Sequence, residues 1–127
     1  MHTYVQSTGD IVLHTGVWLQ GGYSGHGEGL NNPADQYMPN VGPIPIGTYT
    51  IGQPFHHPTA GPFTMRLVPL PGTDTHGRDG FLIHGDTVSM DHTASHGCIV
   101  AQRAHREMVD ETSVDRLLRV VATPDDA

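Results

Sequence analysis

Glycine and proline recur too densely along this chain for a helix bundle. The 127 residues include 16 glycines and 10 prolines. Inside a helix a Gly costs about 1 kcal/mol and a Pro about 3 kcal/mol relative to alanine, whereas short strands joined by turns tolerate both. Hydrophobic residues make up 36% of the chain and charged residues 15%, which is too apolar for disorder. The length suits one compact domain and leaves no room for a separate cofactor-binding module. The expectation is a mainly β fold, a sandwich or small barrel of largely antiparallel strands.

Along the chain, Thr3 to Gln6, the turn Ser7-Thr8-Gly9-Asp10 and the run Ile11 to Val17 predict a β-hairpin. Gly21 to Pro45 predicts a long loop, broken by Gly22, Gly25, Gly27, Gly29, Pro33, Pro39 and Pro43. A loop of that length in a small domain usually has a function or is poorly ordered. Strand signals resume at Gly47 to Ile51, Phe63 to Val68 and Gly80 to His84. Gln102 to Glu111 predicts the one helix, with Ala104 and Met108 four apart among charges, and Arg116 to Ala122 a closing strand.

Acidic residues outnumber basic ones 13 to 6, for a net charge of −7. All the basic residues are arginine, scattered from Arg66 to Arg119 without a stripe. That pattern argues against nucleic acid and against an anionic membrane surface as partners. No apolar run approaches a membrane span, and Met1 to Gln6 lacks the basic and apolar regions of a secretory leader. The expectation is a soluble protein made in the cytoplasm, with no membrane insertion. The single cysteine, Cys98, excludes an intramolecular disulfide.

The chemistry concentrates in Ile83-His84-Gly85-Asp86 and Ser95-His96-Gly97-Cys98-Ile99. A thiol attacks a carbonyl as thiolate, which calls for a histidine in reach and positive potential to lower its pKa. His84 closes an apolar strand fourteen positions before Cys98, and His96 lies two before it. Gly97 permits a tight turn that aims the Gly97 and Cys98 amides into an oxyanion hole. A helix starting just after Cys98 would add its dipole.

Ser95-His96-Gly97-Cys98 with upstream His84 resembles the signature of YkuD-type L,D-transpeptidases, which act on peptidoglycan stem peptides through a cysteine acyl-enzyme. Tyr23-Ser24-Gly25-His26-Gly27, Asn31-Asn32-Pro33, Gly42 to Tyr49, Gly77-Arg78 and Phe81 to Asp86 are similar to the smaller Tlde family of type VI secretion toxins. The resemblance covers about Tyr4 to Ala122 and implies a single L,D-transpeptidase-like catalytic domain over residues 1–127. It implies Cys98 as nucleophile and His84 as general base, without a cofactor. Gly85 by its carbonyl, or Asp86 by its side chain, would orient the imidazole, with Ser95 and His96 in support. An Arg or Asn often follows the hydrophobic residue after the cysteine in YkuD enzymes, where this chain has Val100; Arg103 or Arg78 is the candidate to pair with a substrate carboxylate. The implied partners are peptidoglycan stem peptides, type VI secretion components and a cognate immunity protein, and the implied site of action is a target cell's periplasm.

Bland readings stand beside these. A lone cysteine is most often a small buried hydrophobe, which would leave a non-catalytic wall-binding module. His84, His96 and Cys98 could instead hold zinc for a hydrolase. Gly21 to Gly29 lacks the Lys-Ser/Thr of a phosphate loop and reads as a cleft wall, with Tyr23 as a candidate substrate contact or as part of a plain surface loop. His2, His14, His56, His57, His76, His92 and His105 lack ligand spacing and read as solvated.

Overall fold

A computed structural model describes residues 1–86 and 97–127. Among these residues ten strands and one α-helix follow in order: β1 (His2–Val5), β2 (Ile11–Val12), β3 (Trp18–Leu19), β4 (Tyr23–Ser24), β5 (Gly47–Ile51), β6 (Phe55–His57), β7 (Gly61–Pro69), β8 (Leu82–His84), β9 (Ile99–Val100), α1 (Arg103–Thr112) and β10 (Leu117–Val121). The domain is small and mainly β, as the glycine and proline density requires. The hydrogen-bonded path runs β3-β2-β1-β10-β5-β7-β8-β9-β4, with β6 on β7. Its two ends, β3 and β4, are joined by Gln20, Gly21 and Gly22 alone, a link that spans at most about 14 Å. The sheet therefore curls back on itself.

Several expectations need correction. Tyr4 pairs with Ile11 as in a hairpin, but the second strand stops at Val12. Gly16, at φ +94°, turns the chain so that Trp18 pairs back to Val12. Two pairings are parallel, β1 with β10 and β8 with β9. Residues 21–45 are not structureless: they hold β4 and two 3₁₀ turns, Gly27–Gly29 and Pro33–Asp35. Gly29 is required by close packing, since a Cβ there would overlap the Val41 carbonyl. The helix begins at Arg103, beyond β9, and so does not follow directly on Cys98.

The core gathers Tyr4, Ile11, Tyr49, Met65, Ile83, Ile99, Val109 and Leu118, each no more than 2% exposed. His2, read from sequence as solvated, is buried as well. Its Nδ1 accepts the His14 amide at 3.1 Å, so its Nε2 carries the hydrogen and donates to the Val109 carbonyl at 3.1 Å. This tautomer pins β1 to the end of α1 while the ring stays neutral. Burial, foremost, holds His2 and His84 below the ordinary 6.5. The native state therefore binds fewer protons than the unfolded chain around that pH. This share of stability is present above pH 6.5 and lost as pH falls through the depressed native values. The urea midpoint is expected to drop between about pH 7.5 and about pH 5, less steeply in His2→Gln; a midpoint that rises contradicts it.

Candidate active site

The register of β8 on β9 places the reacting candidates. Ile83 pairs with Ile99 and His84 with Val100, and neighbouring residues in a ladder share a face while successive ones alternate. Ile83 and Ile99 face the core, so His84 and Val100 take the opposite face. Cys98, one residue ahead of β9, continues the alternation onto that same face. Ideal strand spacing and rise put the Cα atoms of Cys98 and His84 about 8 Å apart.

His84 is 5% exposed, and its Nδ1 donates to the Gly85 carbonyl at 2.7 Å. In the neutral ring Nε2 is then the basic nitrogen. Desolvation is the main cause of its lowered pKa; the Gly85 bond and the Asp86 charge oppose the shift, and the Arg106 and His57 charges add to it. Asp86 is engaged elsewhere, its Oδ1 accepting the Tyr23 hydroxyl at 2.6 Å. Of the two candidate orienters, Gly85 makes the imidazole contact.

Burial pushes the Cys98 thiol above its usual 9.0; the Leu82 amide and the Arg78 charge oppose that shift. The expected thiolate-favouring environment is thus outweighed by desolvation. Sγ lies 3.7 Å from the Gly80 carbonyl. Both shifts favour a resting pair of neutral thiol and neutral imidazole.

Arg78 is 8% exposed. Its guanidinium donates to the carbonyls of Gln36, Gly42 (3.0 Å) and Pro43 (2.8 Å). It anchors the 36–43 segment and lies against Gly97, whose φ is +121°. Tyr23, Asp86 and Arg103 line a cavity of about 500 Å³ next to Gly85. Ser95 and His96 fall outside the described residues. Among the described residues, no three His, Cys, Asp or Glu side chains group to hold a metal ion. None of the described helices is long and apolar enough to cross a membrane.

Two supporting residues escaped the sequence reading. Buried Ser24 donates to the Cys98 carbonyl at 2.8 Å and accepts the Ile44 amide at 2.9 Å, fixing the backbone at Cys98. Buried Arg106 donates to the carbonyls of Ala101 (2.6 Å), Phe63 (3.0 Å) and Pro62 (3.2 Å), tying α1 to β7 and to the end of β9. Ser24 lies within the Tyr23-to-Gly27 motif, where nothing local marks its hydroxyl as a partner of the remote Cys98 carbonyl. Arg106 looked like one more charge on an amphipathic helix.

The Tlde1 domain model matches residues 19–123. The chain belongs to the Tlde1 domain family. The match takes in His84, Gly97 and Cys98 together with the loop that Arg78 anchors, and leaves β1 and β2 outside it. A Tlde1 domain points to a secretion-system effector. Neither a curated protein nor a solved structure matches the chain.

Proposed function

We propose that this Tlde1 domain is a YkuD-like cysteine enzyme, an L,D-carboxypeptidase or L,D-transpeptidase that removes the terminal D-alanine of peptidoglycan tetrapeptide stems. It would act as an antibacterial type VI effector in the periplasm of a target cell, countered by an immunity protein. The observation that supports this most is one juxtaposition. The chain's single thiol shares a sheet face with a buried neutral histidine whose Nδ1 is tied to the Gly85 carbonyl.

In this reaction Nε2 of His84 takes the thiol proton as Sγ bonds to the carbonyl carbon at the L-centre of the diamino acid. The Gly97 and Cys98 amides are the proposed donors to the oxyanion. Collapse breaks the C–N bond, His84 returns the proton to the amine, and D-alanine leaves. Water then attacks the thioester with His84 as base, giving hydrolysis; a D-amino acid amine in its place gives exchange. Arg78 serves the thiol electrostatically and holds the adjoining loop. Because the resting thiol is protonated, alkylation is slow whether or not Cys98 turns over substrate. Turnover therefore separates this reading from a wall-binding module.

Incubation with tetrapeptide muropeptides and mass spectrometry of the products tests it, with tripeptide and free D-alanine expected. The base must be neutral and its pKa lies below 6.5 in the protein, so the acid limb of kcat/KM is expected below pH 6.5. A limb centred above that value contradicts His84 as the base.

A further inference from the structure

The cavity beside Gly85 carries opposite charges on its walls. It is lined by Asp86, Tyr23, Val100 and Arg103, among others, and encloses about 500 Å³, within the usual range for small-molecule sites of about 300–1,000 Å³. Tyr23 pairs with Val100 across β4 and β9. Both therefore face the side of the sheet that bears His84 and Cys98, and the cavity adjoins the reacting pair. Its charges reach the imidazole: that of Asp86 raises the His84 pKa and that of neighbouring Arg106 lowers it.

Each charged wall is preset. The Tyr23 hydroxyl holds the Asp86 carboxylate at 2.6 Å, and Tyr23 is itself buried. Arg103 lies over the Phe63 ring at 4.7 Å, and among the described residues its hydrogen bonding is limited to Nε with Glu107 at 3.0 Å. Its two terminal nitrogens keep the fork that receives a carboxylate. Arg106, by contrast, is engaged by three carbonyls. A ligand that is only anionic meets Asp86, and one that is only cationic meets Arg103 and Arg106. A group with ammonium and carboxylate on one carbon satisfies both walls.

We propose that this cavity binds an α-amino-acid zwitterion, with its ammonium on Asp86 and its carboxylate on Arg103. The assignment rests on the stem-peptide activity proposed above. Two sources share this chemistry: the far end of a diaminopimelyl residue in the donor stem, and the free D-amino acid that accepts the acyl group.

The test compares Arg103→Gln with wild type on tetrapeptides carrying meso-diaminopimelate or L-lysine at position three, the latter lacking the far carboxylate. It also follows exchange with D-methionine. A donor site raises KM for the diaminopimelyl stem about tenfold, the loss of one charge-assisted contact, while the lysyl stem and kcat stay unchanged. An acceptor site raises the half-saturating D-methionine concentration and leaves hydrolysis of both stems alone. Asp86→Asn, which keeps an acceptor for Tyr23, removes the ammonium's partner: a donor site then loses affinity for both stems, since lysine keeps its far ammonium, and an acceptor site loses it for D-methionine alone. Equal effects of Arg103→Gln on both stems and on exchange, or none, overturn the proposal. Should wild type hydrolyse neither stem, the proposed activity fails by itself. Titrating Cys98→Ala with free meso-diaminopimelate then decides the site: shifts of the Tyr23 and Arg103 amide resonances, absent in Arg103→Gln, support it, and no shifts refute it.

Discussion

Cys98→Ala is expected to lower D-alanine release from a tetrapeptide stem by at least about a thousandfold, since no other thiol exists to form the acyl-enzyme. The fold should survive. The Ser24 bond at this position goes to the backbone carbonyl, which the substitution keeps, and the Sγ contact with the Gly80 carbonyl is long, at 3.7 Å. Cys98→Ser is expected to fall nearly as far, because a hydroxyl is much less acidic than a thiol and a neutral His84 of depressed pKa is too weak a base for it. Initial rates by mass spectrometry, with thermal melting as the control, decide. Undiminished release from a folded Cys98→Ala protein would remove the proposed nucleophile and, with it, a zinc site that uses Cys98 as ligand.

Gly97→Ala is the second large effect. At φ +121° an L-residue is strained, at a cost of about 1–3 kcal/mol. A Cβ there would also overlap Nη2 of Arg78. A flexible side chain could swing away, but this guanidinium is held by the carbonyls of Gln36, Gly42 and Pro43. The new methyl must therefore displace either the backbone at Cys98 or the 36–43 segment. The expected result is a loss of kcat/KM of about a hundredfold or more, the scale on which a misplacement of about 1 Å is felt, with a lower urea midpoint. A double-mutant cycle with Arg78→Ala isolates the steric part: coupling between the two sites is expected. Strictly additive losses would show that Arg78 does not confine Gly97.

Local patterns were legible from the chain. β5 lies at Gly47–Ile51 and β10 at Leu117–Val121, inside the runs that the β-prone residues marked, and α1 is shifted by one residue from its predicted span. Each declares itself through neighbours in sequence. The two-residue strands β4 and β9 do not, because their partners are remote: Tyr23 meets Val100 and Ile83 meets Ile99. Nothing in a glycine-rich stretch announces that Ser24 will hold the Cys98 carbonyl.

The residue types proposed for acyl transfer, Cys98 with His84 and a glycine before the thiol, stand in the sequence itself, because thiol and imidazole reactivity is a property of the side chains and their spacing. Tertiary structure decided the electrostatic state and the supports. Burial raises the thiol and lowers the imidazole, where local sequence suggested a lowered thiol. The curl of the sheet brings Arg78 against Gly97 and sets Tyr23 on Asp86. Desolvation and cross-strand contact depend on residues far apart in the chain, so only the folded molecule could supply them.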